Sequence, residues 1–140
     1  MHKILVVEDE ESITELLKFC LEDAGYLVVT TDRGKTALEW LKEIKVDMAI
    51  LDLGLPDISG IEVCCAIKEN PKTRAMPVII LTGNSSNEAK MQSNLKANAD
   101  LFLNKPISTD DLKKAVASML EKSEKKKLLL RNSLRTRFEH

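Results

Sequence analysis

Acidic side chains follow two short apolar runs in this sequence, a hydroxyl side chain follows a third, and a lysine follows a fourth. In chain order these residues are Glu8 and Asp9, then Asp52, Thr82 and Lys105. Carboxylates at short range repel one another strongly, so three of them brought together need a cation. Mg²⁺ fits best, because it takes hard oxygen ligands and keeps waters that a phosphoryl oxygen can replace. No loop has the regular ligand spacing of a calcium-binding EF-hand.

One carboxylate of this set also has the surroundings of a nucleophile. Asp52 begins the segment Asp52-Leu-Gly-Leu-Pro-Asp-Ile-Ser-Gly60, whose Pro56 and Gly60 would hold a carboxylate at a strand end. Aspartate can attack phosphorus, and the transferring oxygens then need positioning and charge neutralisation. A metal ion, Lys105 and the Thr82 hydroxyl would supply both. Taken alone, Glu8 and Asp9 could equally belong to the acidic first turn of a helix, and Asp52, Thr82 and Lys105 could be cap, turn or surface residues. The prediction therefore depends on their joint placement.

Bringing these side chains together requires a particular arrangement of strands. Short apolar runs alternate five times with segments of helical period, which predicts an α/β fold, a doubly wound parallel sheet with helices on both faces. The carboxyl ends of such strands meet at one edge, where ligands bind. The runs cover residues 4–7, 27–30, 48–51, 78–81 and 101–103.

Five helices are expected between and after the strands. We predict Asp32 as the cap of the second helix and expect the third helix to stop before Pro71. Gly25 and Gly60 stand where chain reversals need a positive φ. The fourth helix has few large apolar anchors and should be the least firmly docked. The predicted helices cover about residues 13–21, 37–44, 61–70, 87–97 and 112–120.

Composition narrows the class of protein. The chain has 140 residues, 44% of them hydrophobic, which is enough for one core. Its net charge of −1 argues against a nucleic-acid binder. The three cysteines lack zinc-site or disulfide spacing and are expected to be apolar fillers in a reducing cytosol. No apolar run approaches the ~20 residues that span a bilayer, so we expect a cytoplasmic protein without membrane contact.

The net charge hides an uneven distribution. Residues 1–120 carry 14 basic and 19 acidic side chains, whereas residues 121–140 carry 7 and 3. We therefore divide the chain into a body, residues 1–120, and a basic tail, residues 121–140, that is either a solvated, partly ordered end or an extension of the last helix. The tail is too short for a DNA-binding or cyclase domain, but a linker or a docking helix for a partner stays open.

The chemical residues and their order along the chain resemble the signature of bacterial response regulator receiver domains over roughly residues 1–120. The resemblance rests on Glu8-Asp9, Asp52, Thr82-Gly83 and Lys105-Pro106. It implies a flavodoxin-like fold with strand order 2-1-3-4-5, and commonly a cis peptide bond before Pro106.

The resemblance also implies a role for each site residue. Glu8, Asp9, Asp52 and the backbone carbonyl of Gly54 would bind Mg²⁺, and Asp52 would be the phosphoacceptor. Thr82 would follow the phosphoryl group, and Lys105 would pair with it. Phe102 occupies the position of the family's switch aromatic and would turn inward when Thr82 moves. Phe102 lacks the hydroxyl of a tyrosine, and Gly54 lacks a side chain that would tune dephosphorylation.

Partners follow from the same resemblance. No nucleotide-cradling glycine loop is present, so the phosphoryl group would come from a sensor histidine kinase or a histidine phosphotransfer protein rather than from ATP directly. Phosphorylation would reshape a surface for a downstream protein or an output domain. A homodimer through the fourth helix, the fifth strand and the fifth helix is a further candidate. The protein would catalyse only its own phosphotransfer and dephosphorylation.

Three other functions would use part of this pattern. A flavodoxin-like mononucleotide binder needs a hydroxyl- and glycine-rich loop where Glu8 to Glu11 stand, and those acids would repel a phosphate. A metal-dependent phosphatase or nuclease with an Asp-x-Asp pair lacks its second acid after Asp52. A phosphorylation-independent binding module of the same fold stays open as the alternative function.

Overall fold

The five predicted strands form one parallel sheet in the order β2-β1-β3-β4-β5, which confirms the predicted topology. The structure, a computed structural model, describes residues 1–83 and 98–138, with side chains described to residue 135. Each apolar run predicted its strand to within one residue at either end. The strands are β1 (Lys3–Val7), β2 (Leu27–Thr31), β3 (Met48–Asp52), β4 (Val78–Thr82) and β5 (Leu101–Asn104).

Within the described residues, four helices pack on the two faces of the sheet. The third ends at Glu69, just before Pro71 as expected, and begins with the Ser59 hydroxyl accepting a hydrogen bond from the Glu62 N–H. The predicted fourth helix, at about residues 87–97, and its weak docking lie outside the described residues. The helices are α1 (Glu11–Asp23), α2 (Gly34–Glu43), α3 (Gly60–Glu69) and the C-terminal helix (Thr109–Phe138).

The sheet separates two hydrophobic cores. Alternate residues of the strands point to opposite faces, so one core lies under α2 and α3 and the other under α1 and the C-terminal helix. The central strands β1, β3 and β4 are almost wholly buried, whereas the edge strands β2 and β5 are partly exposed. Cys20 and Cys64 are buried thiols that form no disulfide, and burial raises the pKa of Cys64 to about 12. They fill the core as predicted.

Two local predictions were wrong. Asp32 does not cap α2, because the N-cap residue is Arg33 and the first two N–H groups of the helix, those of Gly34 and Lys35, bind the Asp57 carboxylate at 2.9 Å each. A sequence pattern cannot show a cap that comes from 23 residues away.

Of the two glycines predicted to need a positive φ, Gly25 has one, at 96°, but Gly60 does not. Gly60 is required for a different reason. A Cβ there would overlap the backbone carbonyl oxygen of Asp52. The glycine therefore allows α3 to approach the end of β3 closely.

The C-terminal helix runs without a break from Thr109 to Phe138, so the basic tail extends the last helix. His2 Nε2 lies 2.6 Å from Glu124 Oε1, which connects the tail to the start of β1. Among residues 1–83 and 98–138, no helix combines the length and apolar character needed to cross a bilayer.

Candidate functional site

Three strand ends bring four of the predicted site residues together. Glu8 and Asp9 follow β1, Asp52 is the last residue of β3, and Lys105 follows β5. The Lys105 ammonium lies 3.0 Å from Glu8 Oε1 and 3.2 Å from Asp52 Oδ1. One carboxylate oxygen from each of Glu8, Asp9 and Asp52 lies within 4.8 Å of the others. The cluster predicted from strand-end positions is therefore present.

Two of the carboxylates are buried. Glu8 is 2% exposed and Asp52 is 6% exposed, whereas Asp9 faces solvent. Glu8 Oε1 binds Lys105 and accepts the Glu10 N–H at 3.3 Å, but Glu8 Oε2 is buried and has no hydrogen-bond partner within the described structure. An unpaired buried carboxylate oxygen is costly unless something binds it. Three converging carboxylates, one of which has an unsatisfied oxygen, fit a divalent cation.

The electrostatics of the cluster point the same way. Burial raises the pKa of Glu8, against the opposing effect of Lys105, and Asp52 raises it further. Burial also raises the pKa of Asp52, and Asp9 adds to this effect while Lys105 opposes it. Burial alone would lower the pKa of Lys105, but its contacts with Glu8 and Asp52 outweigh burial and raise it. The Lys105 ammonium thus neutralises only part of the negative charge of the carboxylates. A further cation would be favourable at this cluster.

Thr82 lies on the central strand β4, and Phe102 lies on the neighbouring edge strand β5. Thr82 ends β4, is 1% exposed, and accepts the Lys105 N–H at its backbone carbonyl at 2.8 Å. Its backbone thus fixes the start of the loop that carries Lys105, whose peptide bond to Pro106 is cis as expected. Phe102 is half-buried in β5 and packs against the core under α2 and α3.

The loop after β3 is held at several points. Leu53 N–H donates to the Leu81 carbonyl and Gly60 N–H to the Leu53 carbonyl, both at 2.9 Å, which closes the loop at its base. Gly54 is exposed, and a Cβ there would meet nothing within 4 Å. Ahead of Gly60, Asp57 ties the loop to the start of α2.

Asp57 is the supporting residue that sequence reasoning missed. Its carboxylate accepts the Lys35 N–H and the Gly34 N–H, and these bonds hold its pKa at about 2. Its position between Pro56 and Gly60, in the loop predicted to hold Asp52, could have indicated this supporting role. Its partner helix could not be inferred from spacing.

A family model described as the response regulator receiver domain matches residues 4–117. Among curated relatives, the phosphate regulon transcriptional regulatory protein PhoB of Rhizobium meliloti is 40% identical over 121 residues, which cover 86% of this chain and 53% of that protein. The alkaline phosphatase synthesis transcriptional regulatory protein PhoP of Bacillus subtilis is 38% identical over 122 residues, 87% of this chain and 50% of that protein. The chain thus spans about half the length of these relatives.

Solved structures match over nearly their whole length. A CheY-like response regulator receiver domain protein from Methanospirillum hungatei superimposes with a TM-score of 0.83 at 28% identity, covering 90% of this chain and 98% of that one. A chemotaxis response regulator of Vibrio cholerae gives a TM-score of 0.78 at 31% identity, with 85% and 98% coverage. These neighbours match the body of the chain in fold and sequence.

Proposed function

Because this chain belongs to the family of response regulator receiver domains of two-component signalling, we propose that Asp52 is the residue that accepts the phosphoryl group. The observation that carries the proposal is the strand-end cluster, in which one lysine contacts two buried carboxylates at 3.0 and 3.2 Å. Asp52 is the member of this cluster that the β3–α3 loop holds at a strand end. Both the cluster and the loop that supports it serve to present a carboxylate.

The transfer itself needs one nucleophile and one leaving group. A carboxylate oxygen of Asp52 attacks phosphorus and forms the new O–P bond, while the N–P bond of a partner phosphohistidine breaks. The imidazole nitrogen leaves with the bonding electron pair and takes up a proton. The ionised form of Asp52 is the nucleophile, and the Lys105 ammonium at 3.2 Å favours that form against the effect of burial.

We further propose that Mg²⁺ is the resident cation, held by the carboxylates of Glu8, Asp9 and Asp52 and by the Gly54 carbonyl. The unsatisfied Glu8 Oε2 and the hard oxygen donors support this choice. When bound, the ion supplies charge neutralisation for the transferring phosphoryl oxygens. It also offsets the repulsion among the carboxylates.

Lys105 and Thr82 are proposed to respond to the phosphorylation of Asp52. Phosphorylation adds about one further negative charge and new acceptor oxygens at Asp52. The Lys105 ammonium pairs with the phosphoryl group, and the Thr82 hydroxyl moves toward it. Phe102, half-buried on the adjacent strand, then turns inward and changes the surface around β5. This surface is the proposed output.

The partner of a receiver domain in two-component signalling is a histidine kinase. The donor is a sensor kinase or a histidine phosphotransfer protein in the cytoplasm, and the receptor of the signal is a downstream protein or an output domain. A homodimer around β5 is a candidate form of that output. We place the receiver at residues 1–120 and a helical extension at residues 121–140, a division supported by the end of the family match at residue 117.

The test is intact mass spectrometry after incubation with a small acyl-phosphate donor, with Mg²⁺ or with a chelator. We expect the parent protein to gain one phosphoryl group only with Mg²⁺, and Asp52→Asn to gain none. Asp32→Asn is the matched control, because Asp32 is an exposed carboxylate that follows β2 at the same edge of the sheet. Gain by Asp52→Asn would refute the assignment of the acceptor. No gain by the parent, together with failure to bind a stable phosphoryl mimic, would favour the phosphorylation-independent binding module.

A further inference from the structure

Large apolar side chains that remain mostly exposed are concentrated on two helices. Apart from Met1 and Leu27, those found in the described residues lie either on α1 or on the tail of the C-terminal helix. On α1, Phe19 is 73% exposed and Leu16 is 42% exposed; on the tail, Leu129 is 68% exposed, and Leu128, Leu130 and Leu134 are also exposed. Exposed apolar clusters of this kind commonly mark contact surfaces.

Acidic side chains predominate around the α1 cluster, and the exposed Lys18 is the one basic residue of this helix. Glu15, Glu22 and Asp23 are four residues before, three after and four after Phe19, so the helical repeat places them around it on the same face. All three are exposed. We call Glu15, Leu16, Phe19, Glu22 and Asp23 the acidic face of α1.

The tail has the opposite character. Leu130 and Leu134 are four residues apart on one face of the helix, and Lys126 precedes Leu130 by one turn. Lys127 and Arg131 flank the same stripe and are exposed. We call Lys126, Lys127, Leu130, Arg131 and Leu134 the basic face of the tail. Each face carries two exposed large apolar side chains, and the two faces are opposite in charge.

The basic face cannot reach the acidic face of its own chain. The two helices run side by side in the same direction, with the Cys20 thiol 3.9 Å from the Thr109 carbonyl oxygen and the Lys113 ammonium 3.4 Å from the Asp23 carboxylate. Asp23 is the last residue of α1. Leu130 lies 17 residues after Lys113 in an unbroken helix, and at about 1.5 Å per residue this places it roughly 25 Å beyond the end of α1.

We propose that the acidic face of α1 is a docking site for the basic tail of a second copy of this chain. Charge complementarity identifies the occupant, because two tails packed against each other would oppose basic residues and two α1 faces would oppose acidic ones. A twofold axis relates the copies, so the tail of each protomer docks on α1 of its partner and both contacts form together. The apolar side chains supply most of the contact energy, and the charges set its specificity.

Charge reversal provides a test in which two defective variants restore each other. The α1 variant carries Glu15→Lys with Glu22→Lys, and the tail variant carries Lys126→Glu with Arg131→Glu. Within the described part of the chain, none of these four side chains forms an ion pair, so the fold should tolerate the changes. Circular dichroism checks this point.

Sedimentation velocity over a range of concentrations measures the result on the full chain. We expect the parent to be a dimer whose affinity falls as salt is added. Each variant alone should dimerise with a dissociation constant at least about tenfold higher than that of the parent. An equimolar mixture of the two variants should dimerise again, since both of its contacts pair opposite charges. Glu39→Lys with Glu62→Lys on α2 and α3, exposed residues on the opposite side of the sheet, is the matched control and should leave the dimer unchanged.

Two results would overturn the proposal. A parent that stays monomeric at all concentrations shows that the tail of one copy does not dock on α1 of another. A dimer that survives in either variant, or that the mixture fails to restore, shows that the copies associate elsewhere, for example around β5. Phe19→Ala and Leu130→Ala should each weaken the dimer without any change of charge, which separates docking from a general effect of net charge.

Discussion

Replacing Asp52 with asparagine should make the protein more stable when divalent cations are absent. Asp52 is 6% exposed, and its carboxylate shares a small volume with those of Glu8 and Asp9. Burial raises its pKa, and Asp9 raises it further, which means that the folded protein disfavours the ionised form that prevails at neutral pH. Removing that charge should stabilise the folded state, although the charge itself is needed for function.

The size of this gain in stability follows from the distances between Asp52 and the neighbouring charges. With an effective dielectric constant of about 20, attraction between Asp52 and Lys105 at 3.2 Å is about 5 kcal/mol. Repulsion from Glu8, within 4.8 Å, is about 3.5 kcal/mol or more on the same scale, and the solvent-exposed Asp9 adds a smaller amount. The attraction and the repulsion nearly cancel, so the cost of burying the ionised Asp52 carboxylate remains. After allowing for the polar amide that replaces it, we expect a gain of about 1–3 kcal/mol.

Thermal unfolding in low-salt buffer with a chelator at neutral pH measures this gain. For a chain of this length it corresponds to a rise in melting temperature of roughly 4–12 °C. Adding Mg²⁺ should stabilise the parent more than the variant and narrow the difference in melting temperature, because the proposed ion site of the folded state uses this carboxylate. The exposed Asp32→Asn should melt with the parent under both conditions.

The pH dependence has a definite sign. A carboxyl whose pKa is raised in the folded state weakens folding above that raised pKa, and this effect disappears below its ordinary value of 3.8. The advantage of Asp52→Asn should therefore be largest at neutral pH and should shrink as the pH falls toward 3.8. An equal or lower melting temperature for the variant at neutral pH, in chelator, would refute the reasoning.

Three further predictions concern the lysine and the loop after β3. Lys105→Met should lower the free energy of unfolding by about 2–4 kcal/mol in chelator, since two buried carboxylates lose their counter-charge, and Mg²⁺ should recover part of it in urea titrations. Asp57→Ala should destabilise the protein above pH 4, and the deficit should vanish as the pH falls from about 4 to about 2; a deficit independent of pH would contradict the capping role. Gly60→Ala should cost about 2 kcal/mol or more by thermal unfolding, whereas Gly54→Ala, whose Cβ has open space, should change little.

The sheet could be predicted from sequence because burial on both faces leaves a distinct pattern. β1, β3 and β4 are near-continuous apolar runs, and their limits were predicted to within one residue. Strand order was implied only by family resemblance, since the apolar runs do not specify which strands are neighbours. Neither the apolar runs nor the family resemblance predicted the path of the tail, because the contact between His2 and Glu124 joins residues 122 positions apart.

The site was predictable for a related reason. A parallel sheet brings every residue at a strand end to one edge, so the positions of Glu8, Asp52 and Lys105 along the chain were enough to predict their meeting. The supports of the site were not predictable in this way. Asp57 binds a helix start that precedes it by more than 20 residues, and Gly60 is required by the nearby Asp52 carbonyl rather than by its own φ.

The carboxylate cluster is the place where the fold departs from what stability alone would favour. Buried strands tolerate few ionised groups, yet Glu8 and Asp52 sit at the ends of two central strands with one shared counter-ion and an unpaired oxygen. Local departures of this kind are expected at functional sites, where the surrounding structure holds an arrangement that its members would not adopt alone. The flanking strands and the closed β3–α3 loop provide that support. The predicted gain in stability on removing the Asp52 charge is therefore a direct measure of how far the site has been organised for binding a cation and a phosphoryl group.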